Sequence, residues 1–175
     1  MSLTRSMNTF PRAPRSGNSS MLYYKHQFVS VDRTLELYFV GCHLHCQGCH
    51  NEVLQKVTST TKNMTPQEIA NTLKDYINIA KQVHILGGEP LEQPQEELIQ
   101  LFHILKQLGF KNITLFTGRT INPARFKKSD SFFGELDYVK TGMYNEHCLN
   151  ISKEKEPLLG LILASTNQHL YKVVD

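Results

Sequence analysis

Leu35-Glu36-Leu37-Tyr38-Phe39-Val40-Gly41-Cys42-His43-Leu44-His45-Cys46-Gln47-Gly48-Cys49-His50-Asn51 is the stretch on which the reading of this chain turns. Leu35 to Val40 reads as a strand that delivers the chain into a loop. The loop carries Cys42, Cys46 and Cys49 at C-x3-C-x2-C spacing. Three thiolates that close in sequence can cap three corners of a cubane. A 4Fe–4S cluster has four irons, so one iron is left without a protein thiolate and open to an exogenous ligand. The rival is structural zinc held by three Cys and one His, because His43, His45 and His50 are all nearby. Zinc sites usually pair C-x2-C with a second, distant ligand pair, and none is visible. The spacing therefore favours iron–sulfur, and the histidines read as packing groups around the ligands.

The rest of the composition narrows the setting. The chain has 175 residues, 40% hydrophobic and 20% charged, which suits one domain with a real core. A net charge of +3, spread along the chain, specifies neither a nucleic-acid nor a membrane surface. No apolar run approaches 18 residues, and the N-terminus lacks the apolar core of a signal peptide. Four cysteines without a secretory signal argue for reduced thiols and not a disulfide framework. Cys148 stands apart from the other three and reads as a small hydrophobe or surface thiol, since a fourth thiolate would close the cluster. Residues 1 to 20 are rich in Ser, Arg, Pro and Asn and read as a disordered basic arm before a domain over 21–175.

Working outward from the cysteines, strands alternate with amphipathic helices. Thr65-Pro66-Gln67-Glu68 predicts a helix start with Thr65 as cap and Glu68 closing a capping box. Ile69, Leu73, Tyr76, Ile77 and Ala80 follow at helical spacing. Gln82 to Leu86 reads as a short buried strand ending in Gly87-Gly88. A second helix is expected from near Pro94, with Leu98, Leu101, Phe102, Leu105 and Leu108 as its stripe and Gly109 as its stop. Further strands are expected at Lys111 to Phe116, Leu136 to Lys140, Leu158 to Leu163 and His169 to Val174. The fold class is α/β, with mostly parallel strands joined by helical crossovers. A closed eight-stranded barrel needs about 250 residues, so an open, partial (βα) barrel suits this length better. Ligands of such sheets gather at the carboxyl ends of strands, where the cysteine loop, Gly87-Gly88, Thr117-Gly118 and Thr141-Gly142 all fall.

Gly87-Gly88-Glu89-Pro90 alone is only a tight turn after a strand. Beside the cysteines it gains a task, because two glycines let backbone carbonyls approach an ammonium group. Glu89 either supports the turn or neutralises that amine. The two motifs in this order resemble those of the radical S-adenosylmethionine enzymes. There the open iron is chelated by the amino and carboxylate groups of the methionine moiety, and a Gly-Gly-Glu-Pro segment holds the amino group. Leu115-Phe116-Thr117-Gly118, Asp137-Tyr138-Val139-Lys140-Thr141-Gly142-Met143-Tyr144 and Ser165-Thr166-Asn167-Gln168 follow in order. From about residue 22 to the C-terminus the chain resembles the activating protein of the anaerobic, class III ribonucleotide reductase. It departs from that pattern at Glu89, usually Asp, and at Arg119, usually aromatic. Ser30-Val31-Asp32-Arg33-Thr34 also stands where an Asn-Gly-Pro-Gly segment is usual. The last two departures bear on partner choice and substrate-side contacts.

The resemblance implies an oxidoreductase of the glycyl-radical activating type. Its cofactors would be a 4Fe–4S cluster on Cys42, Cys46 and Cys49 and S-adenosylmethionine. Cleavage to a 5′-deoxyadenosyl radical would install a glycyl radical on the large subunit of the reductase. Gly87, Gly88 and Glu89 would orient the methionine end. Thr117 and Asn167 would serve the nucleoside end or the substrate opening, beside their plainer roles as turn and cap residues. His50 would pack near the cluster or the adenine. A flavodoxin-like or other low-potential donor would supply the electron, in a reducing cytoplasm and without oxygen. No membrane or direct nucleic-acid contact is implied, and a homodimer is left open. The alternatives are activation of another glycyl-radical enzyme, radical chemistry on a small molecule, and a zinc-stabilised binding module without catalysis.

Overall fold

The computed structural model describes residues 20–175. The arm expected over residues 1 to 20 therefore lies, Ser20 excepted, outside the described residues. Seven strands form one sheet: β1 (Met21–Val29), β2 (Thr34–Phe39), β3 (Lys62–Met64), β4 (Gln82–Gly87), β5 (Ile113–Phe116), β6 (Tyr138–Thr141) and β7 (His169–Lys172). Their order across the sheet is β3-β1-β2-β4-β5-β6-β7. β2, β4, β5 and β6 are mutually parallel, while β1 pairs antiparallel with β2 and β3, and β7 with β6. Five strands thus run one way and two, β1 and β7, run the other. The sequence did not single out β1 or β3 as separate elements. β3 is three residues long and mostly exposed, so it carries no hydrophobic signal.

Two α-helices, α1 (Pro66–Thr72) and α2 (Gln95–Gln107), cover one face. α1 starts as expected: the Thr65 hydroxyl accepts from Glu68 N–H at 3.3 Å, and Glu68 accepts from Thr65 N–H at 2.8 Å. After Thr72 the helical stripe continues only as a 3-10 turn, Lys74–Tyr76. α2 ends before Gly109, whose φ of +94° stops it as expected. Leu98, Leu101, Phe102 and Leu105 of α2 are buried with Ile69 and Leu73 against Leu35, Leu37, Phe39, Val83, Ile85, Ile113, Leu115 and Val139. The side-chain period of two sends the intervening residues to the opposite face. Glu36 and His84 pair there, then Tyr38 and Leu86, then Phe116 and Lys140.

Three expectations are corrected. The crossover from β5 to β6 contains no α-helix, only a 3-10 turn at Pro123–Arg125. Phe126, Phe132 and Phe133 fill that space with edge-to-face rings, and the Asp130 carboxylate ties the loop by accepting from Phe132 and Phe133 N–H. Leu158 to Leu163 is likewise no strand. The Glu156 carboxylate gathers the N–H groups of Leu158, Leu159 and Leu161, and Gly160 sits at φ +69°. The segment becomes a looped strap with one isolated bridge, Lys155 to Ile162. The last strand is also shorter than expected and stops at Lys172.

Leu101→Ala should lower unfolding stability by about 2–5 kcal/mol, because it opens a cavity between α2 and the sheet. Thr65→Ala should cost only about 1 kcal/mol, by removing one cap. Urea denaturation followed by circular dichroism compares them, and equal losses would contradict this account of the core.

Candidate iron–sulfur centre and ligand rim

Because β2, β4, β5 and β6 are parallel, the four loops after them meet on one edge, as the sequence suggested. The cysteine loop is anchored at its root. Gly41 N–H donates to the Leu54 carbonyl at 2.8 Å and Cys42 N–H to the Gln55 carbonyl at 3.1 Å. At its other end Cys49 N–H reaches the Cys46 carbonyl at 3.3 Å. All three thiols are free and half-buried. Each sulfur also accepts a backbone N–H: Cys42 from Leu44, Cys46 from Tyr144 and Cys49 from Asn51. Three soft thiols on one loop, with amide dipoles aimed at their sulfurs, suit an iron–sulfur cluster, whose properties such hydrogen bonds tune. Burial pushes the Cys42 and Cys46 thiols above their ordinary values. Among the described residues, no three His, Cys, Asp or Glu side chains close around the position of a single metal ion.

Gly87 and Gly88 lie against the root of that loop. A Cβ on Gly87, at φ +134°, would collide with the backbone of Phe39. One on Gly88 would collide with the Gly41 carbonyl and stand 2.7 Å from the Leu54 carbonyl. The two glycines are therefore required first by the close approach of β4 to the chain entering the cysteine loop. Gly88 N–H donates to the Phe39 carbonyl at 2.9 Å, and Glu89 N–H to the Gly41 carbonyl at 2.7 Å.

Of the two roles expected for Glu89, the geometry shows support of the turn. The side chain is 0% exposed. One oxygen accepts from the Thr117 hydroxyl at 2.7 Å and Leu91 N–H at 3.1 Å, and the other from Gly118 N–H at 2.8 Å. Burial raises its pKa, opposed by these three donors and by the charge of Arg119. Thr117 is consumed in the same knot, since its hydroxyl also accepts from Arg119 N–H at 3.0 Å. Asn167 is exposed and donates to the Met143 carbonyl at 2.9 Å, beside a cavity of about 250 Å³ that Gln47, Tyr144 and Glu146 also line. The His50 ring lies 4.8 Å from that of Tyr144, the residue whose N–H meets the Cys46 sulfur. Cys148 is half-buried at the end of a 3-10 turn.

Four residues at the site were given no role by the sequence. Glu92 grips His43 twice, accepting from its N–H at 2.9 Å with Nδ1 at 2.6 Å, and Arg119 lies 3.8 Å from the same carboxylate. Arg119, the departure noted in the sequence, thus faces the cysteine loop through Glu92. Gln93 donates to the Val40 carbonyl at 2.8 Å. His84 is buried on the face opposite the helices beside Phe116, and burial lowers its pKa to about 4. Lys140 is also buried there and donates to the Gly142 carbonyl at 3.0 Å. Burial lowers its pKa to about 8, opposed by the charges of Glu89 and Cys46. Each is set by tertiary contact, which single-residue patterns do not report.

The chain matches the 4Fe-4S single cluster domain family over residues 33–169. That span covers more than three quarters of its 175 residues, so the chain belongs to this family. A search of curated proteins finds no match. Among the described residues no helix is long and apolar enough to cross a membrane.

Glu89→Gln should lower stability by about 1–3 kcal/mol, because an amide turns one acceptor into a donor facing Thr117 or Gly118. Equal urea midpoints for the two proteins would contradict the buried knot. His84 makes a separate prediction. A histidine held neutral in the fold binds protons more readily when unfolded. Stability should therefore fall as pH drops from about 6.5 towards 4, by up to about 3 kcal/mol from this residue. His84→Phe should flatten that part of the curve, measured as unfolding free energy against pH.

Proposed function

We propose that this chain is an activating enzyme that installs a glycyl radical on the large subunit of an anaerobic ribonucleotide reductase. The observation that carries the reading is the rim itself. A three-cysteine loop of a 4Fe–4S family is stitched through Glu89 N–H and Gly88 N–H to a Gly-Gly-Glu-Pro turn at the carboxyl edge of parallel strands. When bound, the cluster and S-adenosylmethionine supply one-electron cleavage of a carbon–sulfur bond, giving a radical that abstracts hydrogen from a glycine Cα.

The protein's share is orientation and enclosure. Cys42, Cys46 and Cys49 hold the cluster, and backbone N–H donors to the Cys42 and Cys46 sulfurs oppose the effect of burial on those two thiols. Gly87 and Gly88 set the edge that orients the methionine end, and Glu89 acts by fixing that edge, with Thr117 as its partner. His50 packs through Tyr144 against the cysteine loop, and Asn167 stands at the opening near Met143. The seven strands do not close on themselves. That leaves a side opening suited to a loop of a large partner. A flavodoxin-like donor in a reducing cytoplasm would provide the electron.

Anaerobic reconstitution followed by electron paramagnetic resonance tests the reading. The wild type should take up about four irons per chain and give a reduced-cluster signal that changes with S-adenosylmethionine. Cys46→Ala should lose both. Mixed with reductase large subunit, donor and S-adenosylmethionine, the wild type should generate a glycyl radical doublet. Uptake of zinc alone, or a cluster signal indifferent to S-adenosylmethionine, would overturn the proposal.

A further inference from the structure

We propose that Glu92 and Arg119 form a charged clamp on the cysteine loop: Glu92 positions the chain beside Cys42, and Arg119 is the counter-charge that makes the cluster easier to reduce. This rests on the cluster-based reading above. The Glu92 carboxylate takes the residue after Cys42 at two points. Its Oε1 accepts from His43 N–H at 2.9 Å, and its Oε2 lies 2.6 Å from His43 Nδ1. The His43 side chain is 87% exposed and that of Glu92 only 15%, so the carboxylate and not packing orients the ring. Two contacts from one carboxylate fix the direction of the main chain leaving Cys42 as well as that of the side chain. Glu92 is held in turn. It closes the 3-10 turn Pro90–Glu92, and its N–H donates to the Glu89 carbonyl at 3.0 Å. The next residue, Gln93, donates to the Val40 carbonyl on the other side of the loop root. The clamp thus carries the rigidity of the rim to the first cluster ligand.

The charges at this edge explain the cation. Burial, and then the charges of Glu89 and Glu92, hold the Cys42 thiol above its ordinary value against the Leu44 N–H. A cluster on three thiolates gains one more negative charge when it is reduced, so both carboxylates oppose the electron. Arg119 answers both. Its Nη2 lies 3.8 Å from Glu92 Oε1, and its charge acts on Glu89 against the effect of burial. Lys140 acts in the same way on the Cys46 side, where its charge opposes the burial of that thiol. The Arg119 side chain is 27% exposed, and a charge at that depth acts more strongly than it would in water. A guanidinium stays protonated at any working pH, so this counter-charge is permanent.

The test reads the cluster and not turnover. Loaded protein without S-adenosylmethionine is poised at fixed potentials, and the reduced cluster is measured by electron paramagnetic resonance. At the wild-type midpoint, Arg119→Gln should lower the reduced-to-oxidised ratio about tenfold, a midpoint about 59 mV more negative. Arg119→Lys should stay within about threefold of wild type, because it keeps the charge. Glu92→Gln should raise the ratio, since the amide still accepts from His43 N–H and the negative charge is gone. With Arg119→Gln and Glu92→Gln together, the ratio should return to within about threefold of wild type, because the pair is removed as a whole. An unchanged ratio in Arg119→Gln, or shifts of one sign in the two single variants, overturns the counter-charge. Iron loss to EDTA tests the positioning: Glu92→Leu should lose iron about tenfold faster, and Glu92→Gln should stay within about threefold of wild type. Equal rates in Glu92→Leu and wild type overturn the clamp. If the wild-type signal ignores S-adenosylmethionine, the activase reading falls, and the potentials, taken without that cofactor, still decide the role of Arg119.

Discussion

A single buried carboxylate holds the working edge of this protein together. Glu89 is fully enclosed, and its two oxygens take donors from Thr117, Gly118 and Leu91, while its own N–H closes on the Gly41 carbonyl at the root of the cysteine loop. One residue thus ties the carboxyl ends of β2, β4 and β5. The tie continues outward, because Thr117 N–H bonds the Lys140 carbonyl and Gly142 N–H the Arg119 carbonyl. Gln168 then reaches the Gly142 carbonyl. Burying a carboxylate is costly unless its lone pairs are filled, so this knot has few alternative arrangements. The rim is stiff for that reason.

The stiff edge and the two faces of the sheet divide the work. The face under α1 and α2 is apolar throughout and supplies the core. The opposite face carries Glu36, His84, Thr114 and Lys140 between its apolar residues, and among the described residues no α-helix covers it. A parallel sheet buried on both sides is ordinarily apolar on both, so these polar residues set the uncovered face apart from the core face. The strap over that face is held mainly by the Glu156 carboxylate and the Asn150 amide, both local to it. It therefore lies over the cavity that His84 and Phe116 line, without joining the core.

Much of this was legible in the chain because the signals are local. The Thr65 capping box, the α2 stripe with Gly109 behind it, and the strands leading into the cysteines and into Gly87-Gly88 depend on neighbours within a few residues. The misplaced elements are those where a local pattern was overruled. The apolar run Leu158 to Leu163 has strand composition, but Glu156 captures its N–H groups and Gly160 turns it. The stretch between β5 and β6 lacks a helical stripe, and its three phenylalanines fill the layer instead. The roles of Glu92, Gln93, His84 and Lys140 could not be read because a lone polar residue acquires meaning only from what stands across from it.

The sequence by itself determined the chemistry on offer: three thiols at cluster spacing, a Gly-Gly-Glu-Pro turn, and strands and helices in the order of a parallel sheet. Those follow from short-range covalent spacing and hydrophobic period, which survive in one dimension. Only the tertiary structure decided what each group does. It turned Glu89 and Thr117 from candidate ligand contacts into the buried knot. It gave Gly87 and Gly88 a steric reason in the backbone of Phe39 and Gly41, and among the described residues it buried one histidine nitrogen without a hydrogen-bond partner. Those outcomes depend on residues dozens of positions apart meeting at hydrogen-bond distance, and only the folded chain specifies such meetings.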